Sequence, residues 1–278
     1  MFQENKREVV AFLIDTNPIA WKKLADRGDL SFKEFLDELF SYFTQMILTD
    51  IFQAPPILAY NQLGCEWLFP APENTKSLVN GDIQLTNSDE VFAYYKVVIE
   101  NLTKFSEKTA QMKMKSGTGV RLDLVFSKAL CLLNKFPNEM PKRIFTISVS
   151  EDSQENFEST INAIFAAHRI GVVIDSFLIN PAKDSLFLNQ AALITGGFSL
   201  SIKFRIKLLA QYLLSIPPLP IRDLVALKKV QNINYKTPAE NTQNMIDVGL
   251  LCPVCLSVFE KTENRLRICP ICKTRSLL

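Results

Sequence analysis

Four cysteines near the carboxyl end are the residues whose spacing points most directly to chemistry. Cys252 and Cys255 form one Cys-x-x-Cys knuckle, and Cys269 and Cys272 form a second after thirteen intervening residues. A two-residue gap lets both sulfurs of a knuckle reach one ion, and two knuckles complete the tetrahedral thiolate set that zinc prefers. Each knuckle has a proline after its first cysteine, Pro253 and Pro270, which fixes one backbone angle inside the turn. Four thiolates leave no coordination position for water or substrate. The spacing therefore predicts one structural Zn2+ ion and a binding module rather than a catalytic centre. A segment of about thirty residues cannot bury enough apolar surface to fold alone, so the metal must contribute on the order of 10 kcal/mol.

A second place for chemistry is the loop after the first strand. The apolar, β-branched run Val9–Ile14 ends at Asp15 and is followed by Thr16, Asn17, Pro18 and Ile19. Open α/β sheets bind ligands at the carboxyl ends of their strands. The chain has no Gly-x-Gly-x-x-Gly, no phosphate-binding loop of the Walker type and no Gly-x-Ser-x-Gly elbow, so nucleotide binding and serine hydrolysis lack their usual supports. Its single histidine, His168, closes a predicted helix, where it interacts with the helix end and has no catalytic partner in sight. These absences predict that the protein is not an enzyme.

The elements that must position these residues follow from apolar periodicity. Strands are expected at Val9–Ile14, Ile57–Tyr60, Trp67–Phe69, Arg143–Val149, Gly171–Leu178 and Phe198–Ile202. Helices are expected at Phe32–Leu48, Val91–Phe105, Leu122–Asn134, Asn156–His168, Ser185–Thr195 and Arg205–Leu214. Strands alternating with amphipathic helices imply an α/β domain with a mostly parallel sheet and helices on both faces. We expect that domain over 1–215, a connecting segment over 216–248 with a helix-like Asp223–Val230, and the four-cysteine ribbon over 249–278.

Composition fits this division. Hydrophobic residues make up 47% and charged residues 22%, enough apolar content for a core. A net charge of +2 is too mild to predict nucleic-acid binding by itself. Within the ribbon Arg265, Arg267, Lys273 and Arg275 outnumber Glu260 and Glu263, which allows a weak phosphate contact. Only Phe259 lies between the knuckles as a stacking platform, so a protein-facing surface is the stronger reading. No apolar run is long enough to span a bilayer. The polar start, without a secretory signal, predicts a reducing compartment in which thiols bind metal rather than form disulfides. Cys65 and Cys131 are expected as small buried side chains, Trp21 as a core residue, and the twenty phenylalanines mostly as core.

An aspartate closing a hydrophobic first strand resembles the opening of the metal site in the von Willebrand factor A fold, whose pattern is Asp-x-Ser-x-Ser. This chain keeps Asp15 but has Asn17 and Ile19 at the two serine positions. By that resemblance Thr118 and Asp152, with Ser116 nearby, would complete the set. The alkyl chain of Ile19 removes one oxygen from the octahedron that Mg2+ requires, so the site is expected to be degenerate and to hold no metal. Asp15 and Asn17 would then bond to backbone groups and stiffen the loop.

The Asp15-x-Asn17-Pro18-Ile19 loop, the stretch Ala163-Ile164-Phe165-Ala166-Ala167, the segment Ile194-Thr195-Gly196-Gly197 and the ribbon from Cys252 to Phe259 occur in one order. Together they resemble the family of the smaller A-type, zinc-ribbon subunit of general transcription and DNA repair factor TFIIH. The resemblance implies a nuclear, hetero-oligomeric, non-enzymatic scaffold. It would bind other TFIIH core subunits, chiefly the larger A-type zinc subunit, in RNA polymerase II transcription initiation and nucleotide excision repair. The alternative is a stand-alone module that binds a protein partner through Mg2+ held by Asp15, Asn17, Thr118 and Asp152. Ile19 argues for the first.

Overall fold

An uninterrupted apolar run that ends in one aspartate has to be covered on both faces, and Val9–Asp15 forms such an interior strand, β1, with every residue buried. The computed structural model describes residues 7–110, 120–150, 157–179, 185–202, 208–222, 236–242, 244–255, 257–260 and 268–275. Among these, β2 (Ile57–Tyr60), β3 (Cys65–Phe69), β4 (Lys142–Ser148), β5 (Val172–Ile179) and β6 (Ser199–Ile202) join β1 in a sheet ordered β3-β2-β1-β4-β5-β6. Every neighbouring pair is parallel except β2 with β3.

Helices cover both faces. On one lies α2 (Phe32–Leu48), entered through a reciprocal capping box between Ser31 and Glu34, which satisfies two otherwise unpaired amides. Phe43 of α2 packs edge-on to Phe12 of β1 at 4.5 Å between ring centroids, and Phe145 of β4 lies 5.4 Å from Phe12. Beside α2 run α4 (Ser88–Ala110), through the stack of Tyr95 on Phe40, and α8 (Leu209–Leu214). On the other face α5 (Leu122–Leu133), α6 (Phe157–Arg169) and α7 (Leu186–Thr195) pack side by side. No described helix is long and apolar enough to cross a membrane.

The α/β sheet predicted from periodicity is present, with corrections at its margins. Asn17 and Pro18 open a helix, α1 (Pro18–Asp26), where only a loop was expected. Between β3 and the next expected helix, where no element was expected, the chain forms α3 (Thr75–Asn80), and the helix expected from Val91 begins at Ser88. Cys65 is buried as expected, but Cys131 is exposed on the outer side of α5. Trp21 is core, and most phenylalanines are too, whereas Phe92 and Phe165 face solvent. The helix-like 223–230 lies outside the described residues.

A buried ion cluster joins the sheet to the segment that follows it. Arg143 Nε donates to Asp175 Oδ2 at 2.5 Å, and Arg143 Nη1 lies 3.2 Å from Glu8 Oε1. Arg222 donates to both oxygens of Asp175 and, through Nε, to the carbonyl of Pro217 at 3.0 Å. The amide of Leu219 donates to Glu8 Oε2 at 2.8 Å. The turn of helix α9 (Leu219–Arg222) is thereby clasped to β5 and to Glu8 just before β1.

The last described part contains two short antiparallel pairs, β7 (Thr237–Pro238) with β8 (Met245–Ile246), and β9 (Leu250–Leu251) with β10 (Val258–Phe259). The first hairpin is tied to the second by Glu240 N–H to the Val258 carbonyl at 2.9 Å and by Glu260 N–H to Asn241 Oδ1 at 2.9 Å.

Candidate metal centre and the loop after the first strand

The turn in each knuckle brings its two cysteines together, with the β9–β10 pair closing around the first knuckle and the Ile268–Arg275 bridge around the second. All four sulfurs, of Cys252, Cys255, Cys269 and Cys272, lie within 4.8 Å of one another. Cys252 Sγ is 3.6 Å from Cys272 Sγ, and Cys255 Sγ is 3.6 Å from Cys269 Sγ. A tetrahedron with zinc–sulfur bonds of about 2.3 Å has edges of about 3.8 Å, so the donor set fits a single such ion that bridges the knuckles. None of the four is in a disulfide.

The local apolar support is small: Cys252, Phe259 and Cys269 are fully buried, with Leu250, Cys255 and Cys272 around them. Hydroxyls touch two of the sulfurs. The Thr274 hydroxyl beside Cys272 pulls that thiol down to about 6, and the Ser257 hydroxyl lowers Cys255. Burial pushes Cys269 up to about 11. The thiolate is the form that binds metal, so occupancy of the four-sulfur set releases protons.

The loop after β1 is organised around Asp15. Its Oδ1 accepts the Asn17 amide at 2.9 Å, and its Oδ2 accepts the amides of Val149 at 3.1 Å and Ser150 at 2.7 Å. Burial pushes the Asp15 carboxyl up, against the lowering effect of its bonds with Ser150, Asn17 and Val149. Asn17 Oδ1 caps α1 by accepting the Ile19 amide at 3.1 Å, and its Nδ2 donates to Ser150 Oγ at 3.0 Å. Trp21 Nε1 donates to the Asp15 carbonyl at 2.7 Å. Ile19 projects into solvent. Thr118, Asp152 and Ser116 lie outside the described residues, as do Arg265, Arg267 and Glu263.

Sequence reasoning brought Asp15 and Asn17 to one loop but missed the amides of Val149 and Ser150. A backbone amide has no residue type to betray it. It also missed Ser257 and Thr274, whose signal was available: each stands two residues after the second cysteine of its knuckle.

The family model for transcription factor Tfb4 matches residues 7–273. The chain is 25% identical, over 94% of its length and 87% of the relative's, to the Arabidopsis thaliana protein named general transcription and DNA repair factor IIH subunit TFB4. A Dictyostelium discoideum protein named general transcription factor IIH subunit 3 is 32% identical over 48% of this chain and 37% of its own. Among solved structures, the TFIIH p34 N-terminal domain superposes with a TM-score of 0.60 at 22% identity, covering 75% of this chain and 97% of that one. The SpRpn10 VWA domain superposes with a TM-score of 0.50 at 14% identity, covering 76% of this chain and 96% of that one, so the fold is that of a von Willebrand A-like domain. A match that spans both the sheet and the four-cysteine segment places the chain in the transcription factor Tfb4 family.

Proposed function

We propose that this chain is a non-catalytic scaffold subunit of the TFIIH core, acting in the nucleus in RNA polymerase II transcription initiation and nucleotide excision repair. Its main partner is the larger A-type zinc subunit. Family membership supports the complex, and one observation carries the scaffold reading: among the described residues, the two places where the sequence suggested chemistry offer no open position. The four sulfurs lie within 4.8 Å of one another, and a tetrahedral ion held by all four would have no position left for substrate. The Asp15 carboxylate is turned onto three backbone amides, which take up lone pairs that a cation would otherwise use. We assign Cys252, Cys255, Cys269 and Cys272 to one structural zinc ion, and the Asp15–Asn17 loop to a metal-free stiffening role.

The ribbon reads as a protein-binding surface, with any phosphate contact secondary. Val254 and Ile271, the third residues of the two knuckles, are exposed, as are Leu251 and Ile268 just before them. Apolar side chains held outward by a rigid turn suit a protein partner better than a phosphate backbone. For the domain limits, the Arg222 clasp supports an A-like unit that extends to Arg222. The Asn241–Glu260 bonds support a ribbon unit that begins near 236.

The test is purification of the tagged full chain from its own nuclei, with identification of stoichiometric companions. A helicase-containing complex with a second A-type zinc subunit is the expected result. Recovery as a monomer, or with unrelated partners, overturns the assignment.

A further inference from the structure

The two knuckles are built alike. In each, the residue two positions after the second cysteine accepts the amide of the first cysteine: Cys252 N–H bonds to the Ser257 carbonyl at 2.9 Å, and Cys269 N–H to that of Thr274 at 3.0 Å. In each, the hydroxyl of that residue lies against the second sulfur: Ser257 Oγ is 3.1 Å from Cys255 Sγ, and Thr274 Oγ1 is 3.3 Å from Cys272 Sγ. Glu158 breaks this symmetry. From the first turn of α6, ninety-nine residues away in sequence, its Oε1 accepts the Ser257 hydroxyl at 2.5 Å. Ser257 is 1% exposed, so this bond is made inside the contact between the ribbon and the sheet domain.

We infer that Glu158 is the outer-shell partner of the ribbon's metal centre, and that metal binding and seating of the ribbon on α6 are thermodynamically linked. The inference rests on the reading of the four cysteines as the zinc site. The Thr274 knuckle has the same turn and the same hydroxyl–sulfur contact, so these do not depend on a carboxylate from α6. What the carboxylate adds is a hold on Ser257, whose one hydroxyl proton goes to Glu158 while its carbonyl accepts the Cys252 amide, so that the turn of the first knuckle is tied to α6. The Ser257 oxygen is in reach of Glu158 only while the first knuckle is closed, and the metal is what closes it. Linkage is reciprocal: whatever the seated ribbon adds to metal affinity, the metal adds to seating. Carboxylates that orient a metal site from outside its ligand set commonly change affinity by about 10–100-fold.

The experiment uses the zinc-loaded full chain and competition against a chromophoric zinc chelator. Glu158→Ala is expected to weaken zinc binding roughly 10–100-fold. Glu158→Gln, whose amide oxygen still accepts the Ser257 hydroxyl, keeps most of the affinity. In a double-mutant comparison, Glu158→Ala adds no further loss to Ser257→Ala, whereas it adds its full effect to Thr274→Ala. The unfolding midpoint of the sheet domain, followed in each variant, separates a local effect from collapse of α6. Wild-type zinc at one ion per chain with unchanged affinity in Glu158→Ala overturns the inference while leaving the zinc site intact. So do additive effects of Glu158→Ala and Ser257→Ala. A wild-type chain that binds no zinc overturns the metal assignment itself, and the inference with it.

Discussion

Arg143 and Asp175 face each other from neighbouring parallel strands, with Nε 2.5 Å from Oδ2 and both side chains sealed from solvent. Asp175 also accepts the Phe198 amide at 2.7 Å and is shared with Arg222. Two carboxylates, of Glu8 and Asp175, are thereby matched to two guanidiniums, of Arg143 and Arg222. Removing one member leaves an uncompensated buried charge, which costs about 3–5 kcal/mol. Asp175→Ala is expected to destabilise the sheet domain by that amount, whereas Arg222→Ala, at the more open end of the cluster, costs less. Urea unfolding of the full chain checks both.

Two of the buried aspartates, Asp15 and Asp175, give opposite pH dependences. Burial pushes Asp175 up, but Arg143 and Arg222 more than offset this and hold it below its ordinary 3.8. Its contribution is therefore present above 3.8 and lost as pH falls through its folded value. Asp15 is raised above 3.8 by burial; its contribution is complete below 3.8 and lost as pH rises through its folded value. Asp175→Asn should flatten the acid limb of the stability–pH curve, and Asp15→Asn the limb just above it. Urea midpoints across roughly pH 3 to 7 test this, and parallel curves for wild type and both variants would refute it.

Gly197 follows the left-handed Gly196 cap of α7, where the chain turns against β5. A Cβ on Gly197 would sit 1.9 Å from the Ile174 carbonyl oxygen and 2.9 Å from Asp175 Oδ1. The first of these is backbone in the middle of the sheet and cannot step aside. Gly197→Ala is expected to cost about 3 kcal/mol. Gly64→Ala, with nothing within 4 Å of its Cβ position, serves as the control and should stay near wild type. Thermal unfolding distinguishes the two.

Magnesium should leave the sheet domain unchanged, because the Asp15 oxygens are committed to the amides of Asn17, Val149 and Ser150. A cation site filled a hundredfold over its dissociation constant would add about 2.7 kcal/mol of stability. A magnesium-dependent rise in the unfolding midpoint that disappears in Asp15→Ala would favour the stand-alone metal-dependent module instead.

Cys252→Ser or Cys269→Ser should lose the ribbon and keep the sheet domain. The ribbon's buried cluster is Cys252, Phe259 and Cys269 alone among the described residues, too little to hold without a metal. Metal analysis is expected to fall from one zinc per chain to none, with the far-ultraviolet signal of the helices preserved. Unchanged zinc content in either variant would sink the four-thiolate assignment.

The four-cysteine set was legible because a metal knuckle is a local object: ligand type and a two-residue gap are both written in consecutive positions. The strands and helices were legible for the same reason, since apolar periodicity reports which face of each element is covered. Even the missed helix α1 had its signal, with Asn17 as the capping residue and Pro18 as the first helical position. What Asp15 binds was not legible. Its partners Val149 and Ser150 stand more than 130 residues away, and reach it only because β1 pairs with β4. Their donors are backbone amides, which any residue but proline supplies. The same holds for Glu158 and Ser257, and for the Glu8–Arg143–Asp175–Arg222 cluster. Residue spacing fixed what this chain can ligate, whereas tertiary pairing decided which carboxylates meet amides, guanidiniums or a hydroxyl, because those contacts join parts of the chain whose separation carries no local pattern.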